Sequence, residues 1–369
     1  MMFVQFLQNI LILGFTVLLI AQTKAFEDCT ANRCRLTRRE LKFGAIGDWG
    51  GLPIWPYRSP VQWKVAEALA DKAREENFDF YISLGDNFYL IGVKNDRDKR
   101  FRQETFEKVY STKVLQEKPW YIMAGNHDHN GNVTAQIAYS RKSDRWIFPK
   151  PYYMIKYQTI DGIDIDIIVI DTVILCGNTV DGKFDSTWRF LISTFNNLTP
   201  DGPSDPKAAD DQWQWIEDQL NKSRAHYLFV AGHYPVYSIA DHGPTKCLIE
   251  KLDPLMQKFK VTAYISGHDH NLQHLQIDSQ GSTINYVLSG SGAFSTKSTE
   301  HAKYVPPKSS RFVYPSGASW LGKLFDVGKT GLFTDGGFVS VAVDQKSAVF
   351  DFLSGEKKLL YRFEASPRF

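Results

Sequence analysis

Short apolar runs, each ending in a polar cluster, recur along this chain. Their aromatic and β-branched content and their length are typical of buried strands in a sheet that is covered on both faces. We therefore predict strands at these runs, with polar side chains at their carboxyl ends. The runs are 42–47 before Asp48, 78–84 before Gly85-Asp86, 120–124 before Gly125-Asn126, 165–170 before Asp171, 227–231 before Gly232-His233, and 263–266 before Gly267-His268.

Helical spacing separates the strand-like runs. Ser59-Pro60 has the pattern of an N-cap followed by proline at the first helical position, and apolar residues then recur at helical spacing up to Asn77. Amphipathic patterns also cover 207–224 and 248–259. Strands that alternate with helices predict an α/β layered fold. From Ile284 onward, several strand-like segments with short turns predict a second sheet packed on the first.

The N-terminal segment has the pattern of a secretory signal. Residues 10–21 form a nearly unbroken apolar run, whereas a membrane-spanning helix needs about 20 such residues. We therefore predict a signal peptide at 1–25 and one mature domain at 26–369. An uncleaved N-terminal anchor is the alternative. Possible glycosylation acceptors of the N-x-[ST] type occur at Asn132, Asn197 and Asn221.

Composition excludes two classes of protein. Lys and Arg total 43 against 41 for Asp and Glu, so the formal net charge is +2. This balance argues against the strongly basic surface of a nucleic-acid-binding protein. Apolar residues at 43% and charged residues at 23% are ordinary for a globular chain, which excludes intrinsic disorder over its whole length.

The candidate chemistry lies at the predicted strand ends. Ligands of open α/β sheets bind at the carboxyl ends of the strands, so we expect these side chains to meet in one crevice. Carboxylate and amide oxygens together with imidazoles suit iron, zinc or manganese. Candidate ligands on this argument are Asp48, Asp86, Asn126, His233, His268 and His270.

Five ordered motifs resemble the blocks of the calcineurin-like metallophosphoesterases. The wider family has a histidine where this chain has Gly50, and Tyr89 lies three residues after Asp86. That substitution resembles the purple acid phosphatases, and the run 232–247 is similar to the small, mammalian-type, tartrate-resistant members. The motifs are Gly47-Asp48-Trp49-Gly50, Gly85-Asp86-Asn87-Phe88-Tyr89, Gly125-Asn126-His127-Asp128, Gly232-His233-Tyr234-Pro235-Val236 and Gly267-His268-Asp269-His270.

The resemblance implies a fold and a set of ligands. The fold is a four-layer α/β sandwich, in which two mixed β-sheets pack together between helices and the metal site lies at the C-terminal ends of strands. A second ion, which is divalent, accompanies Fe(III). Iron is the expected identity of this second ion, and zinc or manganese are alternatives. The ligands implied for Fe(III) are Asp48, Asp86, Tyr89 and His270, and those for the second ion are Asp86, Asn126, His233 and His268.

The resemblance also implies an activity. It is that of a secreted or lysosomal acid phosphatase that acts on phosphate monoesters, with metal-bound hydroxide as the nucleophile and an acidic optimum. His127 is the implied general acid, although a hydrogen bond to a ligand is its alternative role, and His242 is the second active-site histidine. Implied partners are small phosphate esters or phosphoproteins, with no nucleic acid, no stable membrane anchor and a monomeric state.

The cysteines, the segment 196–210 and the overall function complete the predictions. The resemblance implies a disulfide between Cys176 and Cys247, whereas pairing of Cys29 with Cys34 is an expectation outside it. The segment 196–210 is either a loop over the metal site that limits activity or a solvated linker. Alternative functions are a phosphoesterase specific for diesters or pyrophosphates, and an iron carrier or redox protein that generates reactive oxygen.

Overall fold

The structure is a computed structural model that describes residues 33–179, 200–279, 281–315 and 336–369. No helix within these ranges has the length and apolar character required to cross a membrane. The strands are β1 (Cys34–Arg35), β2 (Leu41–Ile46), β3 (Phe80–Ser83), β4 (Trp120–Ile122), β5 (Trp146–Ile147), β6 (Tyr153–Gln158), β7 (Asp164–Val169), β8 (Tyr227–Ala231), β9 (Ala263–Ser266), β10 (Leu272–Ser279), β11 (Ser282–Ser289), β12 (Ser310–Tyr314), β13 (Gly337–Val343), β14 (Ala348–Ser354) and β15 (Leu359–Ala365).

The helices are placed between the strands as the alternating pattern predicts. A short π-helix (Arg100–Glu104) and a 3₁₀ turn (Ala302–Tyr304) add to them. The α-helices are α1 (Pro60–Glu76), α2 (Lys113–Gln116), α3 (Asn126–His129), α4 (Val133–Tyr139), α5 (Thr172–Cys176), α6 (Pro206–Lys222) and α7 (Lys246–Lys258).

Two mixed sheets form from the described strands. The first sheet has the order β15-β14-β13-β2-β3-β4-β5, and the second has the order β1-β6-β7-β8-β9-β11-β10-β12. Strands β2 to β5 run parallel in the first sheet, as do β7, β8, β9 and β11 in the second. Antiparallel strands flank both parallel blocks. The predicted α/β fold class is confirmed.

The predicted separate C-terminal sheet is wrong. Strand β13 pairs antiparallel with β2, with Val339 opposite Ala45, so the last three strands extend the first sheet. The earlier strand β11 joins the second sheet beside β9. The physical reason is the edge of β2, a buried strand whose unpaired N–H and C=O groups on that side need partners.

The two sheets pack face to face, and helices cover their outer faces. Phe43 of β2 meets Phe229 of β8 edge to face, with ring centroids 6.4 Å apart. On the outer face of the first sheet, Leu69 of α1 lies against Gly44. On the outer face of the second sheet, α6 and α7 join the apolar cluster of β8 and β9. Burial of these faces in four layers is the expected arrangement.

Helix ends follow the local signals in the sequence. Ser59 caps α1 by accepting a hydrogen bond from the Gln62 N–H at 2.9 Å, and Asn77 ends the helix in the left-handed conformation. Helix α6 begins at Pro206 after its cap Asp205, so it starts inside the segment predicted as a loop. Residues 196–199 of that segment lie outside the described residues, and its regulatory role remains a hypothesis.

Main-chain bonds join the two sheets where their strands end. The Gly47 N–H donates to the Ser289 carbonyl at 2.8 Å, and the Gly292 N–H donates back to the Gly47 carbonyl at 3.1 Å. The Ser289 hydroxyl also donates to the carbonyl of Ala45. These bonds hold the carboxyl ends of β2 and β11 together. The carboxyl ends of both parallel blocks therefore open onto one edge.

Candidate metal centre

Each candidate ligand follows a strand at the edge where the two sheets meet. The first sheet contributes oxygen donors after β2, β3 and β4, and the second contributes imidazoles after β8 and β9. All of them are buried except His270, whose side chain is 16% exposed. The first-sheet donors are Asp48, Asp86, Tyr89 and Asn126, and the second-sheet donors are His233, His268 and His270.

The backbone turns sharply at three of these residues. Asp48, Asp86 and His268 have φ angles of 59°, 52° and 74°. This left-handed conformation costs a non-glycine residue roughly 1–3 kcal/mol where the surroundings impose it, and such residues concentrate at functional sites. The strain indicates that the fold keeps these side chains aimed at one another.

Glycines before the candidate ligands allow the strand ends to approach. A Cβ atom on Gly85, whose φ is 93°, would lie 2.5 Å from Nδ1 of His233. A Cβ atom on Gly125 would lie 2.2 Å from Oδ1 of Asp86. No larger residue fits at either position without displacing a candidate ligand.

One group of donors surrounds the phenol of Tyr89. Its hydroxyl lies 3.2 Å from Oδ1 of Asp48 and 3.1 Å from Nε2 of His270. The Asp48 oxygen and the His270 nitrogen are 3.6 Å apart. Three side chains from two sheets therefore present donor atoms to a common point.

A second group lies beside the first. His233 Nε2 is 2.9 Å from Oδ1 of Asn126 and 3.4 Å from Oδ1 of Asp86. Donor atoms of Asp86, His233 and His268 all lie within 4.8 Å of one another. The two groups are joined by the His268 N–H, which donates to Oδ2 of Asp48 at 2.8 Å.

The electrostatics of the two groups fit metal ions. Burial, together with the charge of Asp86, raises the pKa of the Asp48 carboxyl well above its usual range. Burial and the same carboxylates also raise the pKa of Tyr89. Burial lowers the pKa of His268 strongly and that of His270 to about 3, so both imidazoles stay neutral. Cations would offset the repulsion between the carboxylates and accept the imidazole lone pairs.

The two candidate catalytic histidines flank these groups. His127 donates from Nδ1 to the Leu90 carbonyl at 2.7 Å, and its Nε2 lies 3.9 Å from Oδ2 of Asp86. His242 contacts Oδ1 of Asp269 through Nδ1 at 3.0 Å, and its ring centroid is 4.1 Å from that of His268. Both imidazoles therefore lie beside the donor groups, and in each of them Nδ1 is fixed by a hydrogen bond.

The carboxylates of Asp171 and Asp269 each contact a histidine side chain, and the sequence did not predict either partner. Asp171 caps α5 and lies 2.8 Å from Nε2 of His129. Burial opposes a charge on that imidazole, but Asp171 raises the pKa of His129 above its ordinary value. Asp269 holds His242, as described above. The available signal was Asp269 itself, a carboxylate between two histidines directly after a buried strand.

The remaining predicted sites are only partly described. A disulfide joins Cys176 of α5 to Cys247 of α7, with Cα atoms 5.7 Å apart, and this is the pair that the resemblance implied. Asn132 and Asn221 are exposed, and Asn132 caps α4. The signal segment 1–25, Cys29 and Asn197 lie outside the described residues, so pairing of Cys29 with Cys34 remains an expectation.

Comparison with known proteins points to one family. Residues 41–272 match the family profile described as calcineurin-like phosphoesterase. The chain is 42% identical over 330 residues to tartrate-resistant acid phosphatase type 5 of Rattus norvegicus, which covers 89% of this chain and 91% of that protein. It is 30% identical over 331 residues to purple acid phosphatase 7 of Arabidopsis thaliana, covering 89% and 87%.

A solved structure shares the fold. The Plasmodium protein described as "GAP50 the anchor in the inner membrane complex" superposes with a TM-score of 0.66. The match covers 89% of this chain and 90% of that chain at 22% sequence identity. At this identity the likeness extends to the arrangement of sheets and helices alone.

Proposed function

The chain belongs to the calcineurin-like phosphoesterase family, and on that premise we propose that it is an acid phosphatase hydrolysing phosphate monoesters at a centre of Fe(III) and a second divalent ion. The observation that carries the proposal is the phenol of Tyr89 between Asp48 and His270, directly beside the group of Asp86, His233 and His268. Relatives named acid phosphatases support the reaction class.

Two overlapping ligand sets follow from this proposal. Asp86 belongs to both, because it contacts the second group directly and its charge acts on Asp48 of the first. Iron is the proposed second ion, and zinc or manganese suit the same donors. The proposed Fe(III) ligands are Asp48, Asp86, Tyr89 and His270, and the proposed ligands of the second ion are Asp86, Asn126, His233 and His268.

The chain's own residues orient the substrate and move a proton. When bound, the two ions would neutralise charge on the phosphate oxygens and lower the pKa of water. The Leu90 carbonyl holds Nδ1 of His127, so Nε2 is the nitrogen that we assign to protonating the leaving-group oxygen. We assign Nε2 of His242 to a phosphate oxygen. We propose an acidic optimum, because both roles require a proton on Nε2.

We further propose that residues 1–25 direct the chain into the secretory pathway, and that 26–369 form one catalytic domain, either lysosomal or extracellular. The Cys176–Cys247 disulfide supports this route, since such bonds persist in oxidising compartments. N-terminal sequencing of protein from a eukaryotic host's medium or lysosomes checks the proposal. We expect a mature end near Phe26, and an intact Met1 would contradict it.

An assay with linked metal analysis tests the function. Purified protein is compared on a chromogenic phosphate monoester and the matching diester at about pH 5, below the ordinary pKa of histidine. We expect the larger kcat/KM for the monoester, together with two metal ions per chain. A preference for the diester would support a diesterase instead. Metal-loaded protein that hydrolyses neither ester would support a carrier or redox role.

Tyr89→Phe tests the ligand assignment separately. A tyrosinate bound to Fe(III) gives a visible absorption band, so we expect the variant to be colourless. The matched control is Tyr234→Phe. Tyr234 packs its ring 4.6 Å from that of His268, but its hydroxyl donates to the Gly177 carbonyl. A visible band that survives Tyr89→Phe would show that the phenol is not a ligand.

A further inference from the structure

The loop that carries His242 is held at several points. This loop, residues 236–245, lies between β8 and α7 and is called the His242 loop below. The Gln273 side chain accepts a hydrogen bond from the Ile239 N–H at 3.0 Å, and His301 Nδ1 donates to the Ala240 carbonyl. Tyr237 donates to the buried Asp253 of α7 at 3.1 Å.

Asp269 contacts the His242 loop in a different way. Its Oδ1 accepts the His242 N–H at 2.9 Å and faces His242 Nδ1 at 3.0 Å. Its Oδ2 accepts the hydroxyl of Ser238, which in turn accepts from Gln273 Nε2 at 2.8 Å. Both oxygens of this fully buried carboxylate are thus used on the His242 loop, and one of them holds the imidazole itself.

Asp269 also belongs to the segment that carries two proposed ligands. It lies between His268 and His270, and the His242 ring contacts the His268 ring at a tilt of 51° with a centroid separation of 4.1 Å. A displacement of the 268–270 segment would therefore move the imidazole of His242 with it. The Gln273 and His301 contacts hold the loop backbone, and the Asp253 contact holds the Tyr237 side chain; none of these three contacts involves that imidazole.

We propose that Asp269 is a positioning residue for His242, which fixes the orientation of its imidazole and ties it to the segment of His268 and His270. A hydrogen bond from Nδ1–H to a carboxylate sets both the tautomer and the ring plane, and so the direction of Nε2. This inference rests on the proposed function, in which His242 binds a phosphate oxygen. Asp269 acts on phosphate through His242.

A double-mutant cycle tests the proposal. Asp269→Asn, Asp269→Ala and His242→Ala are made singly, and each Asp269 change is also combined with His242→Ala. We expect losses of kcat/KM on the order of 10-fold for asparagine and 100-fold for alanine. Neither change should cause a further loss once His242 is alanine, because the two residues act as one unit.

Orthophosphate binding gives a readout that does not depend on turnover. Its dissociation constant, measured by equilibrium dialysis on metal-loaded protein, should rise with each Asp269 variant and stay constant across them in the His242→Ala background. If wild-type protein binds orthophosphate but hydrolyses no ester, the proposed function fails while this cycle still tests Asp269. Metal content and the visible band should be unchanged.

Asp253→Asn is the matched control. It alters another buried carboxylate that holds the same loop, but at Tyr237, five residues before His242. Its effect should be small and additive with His242→Ala. Equal losses from Asp269→Asn with and without the His242 side chain would overturn the proposal, as would no loss from Asp269→Asn in the wild-type background. If Asp269→Ala fails to fold, the asparagine cycle alone decides.

Discussion

The first and second sheets contribute different chemistry to one site. Every candidate ligand after a first-sheet strand offers oxygen, and every candidate ligand after a second-sheet strand offers an imidazole nitrogen. Oxygen donors suit a hard ion such as Fe(III), and imidazoles suit borderline divalent ions. Because both donor groups draw on both sheets, neither sheet holds a complete set. The site exists only when the sheets dock.

The two sheets also support their histidines differently. Asp128, beside the first sheet, accepts main-chain N–H groups of Gly125 and Asn87 and so holds the turn before His127. Asp269, beside the second, contacts the side chain of His242 directly. The His127 side chain is 5% exposed and that of His242 is 22% exposed. The main-chain carbonyl of Leu90 therefore orients the first imidazole, and the side-chain carboxylate of Asp269 orients the second.

The largest effect is expected from Asp86→Ala. This first-sheet carboxylate contacts His233 of the second sheet and accepts the His127 N–H at 3.0 Å. Its loss should release both ions and bring hydrolysis to the detection limit, as measured by metal analysis and kcat/KM. The control is Asp79→Ala at the opposite end of β3, where the carboxylate accepts the Lys42 N–H. If the Asp86→Ala variant retained two metal ions, Asp86 would not be a ligand that both ions require.

The next largest effects are losses of activity that distinguish the roles of His127 and His242. We expect His127→Ala to keep both metals and the visible band and to lower kcat by about 10²- to 10⁴-fold, which is the usual contribution of a general acid. His242→Ala removes a charge-assisted hydrogen bond and should cost about 10- to 100-fold in kcat/KM. Steady-state kinetics on the chromogenic monoester measure both losses. A larger loss for His242→Ala would reverse the assigned roles.

Removing the disulfide should destabilise the second-sheet side. The Cys176–Cys247 bond closes a loop of 71 residues and anchors α7 directly after the His242 loop. Replacing both cysteines with serine should lower the free energy of unfolding by about 4 kcal/mol, from the loop-entropy model. Denaturant unfolding at constant m-value measures this loss. An unchanged midpoint would mean that contacts between α5 and α7 suffice.

The smallest expected effect is a pH dependence of the free energy of unfolding, caused by a histidine in the second sheet. His274 of β10 is buried and stacks on Phe363, and burial lowers its pKa from 6.5 to about 4. The unfolded chain takes up this proton below pH 6.5 while the folded chain does not. Stability is therefore complete above about pH 6.5, falls as the pH drops through this window, and loses up to about 3 kcal/mol below pH 4.

His274→Gln checks this assignment. The variant should be less stable than wild type at neutral pH and should show a weaker loss between pH 7 and the acid limit, measured by chemical unfolding at a series of pH values. Parallel curves for both proteins would place the acid sensitivity elsewhere.

Features with local causes could be predicted from the sequence. The cap at Ser59 and the end at Asn77 bound α1, because each depends on bonds within one turn of the helix. The strands at Tyr227–Ala231 and Ala263–Ser266 have the predicted bounds. The C-terminal strands were predicted as strands but assigned to the wrong sheet. Strand pairing depends on which sheet edge is available, and the apolar pattern of a strand does not predict the strand with which it pairs.

The sequence by itself determined the donors of this protein, their order, and the glycines that let strand ends approach, because these depend on residue type and spacing within each motif. Only the tertiary structure decided which donors meet. The His268 N–H and Asp48 are separated by 220 positions along the chain yet lie 2.8 Å apart. Asp269 likewise holds a side chain 27 positions away. The first contact depends on how the two sheets pack, and the second depends on how the neighbouring strands β8 and β9 of one sheet place the segments that follow them. Both arrangements are properties of the whole core, which no local motif specifies.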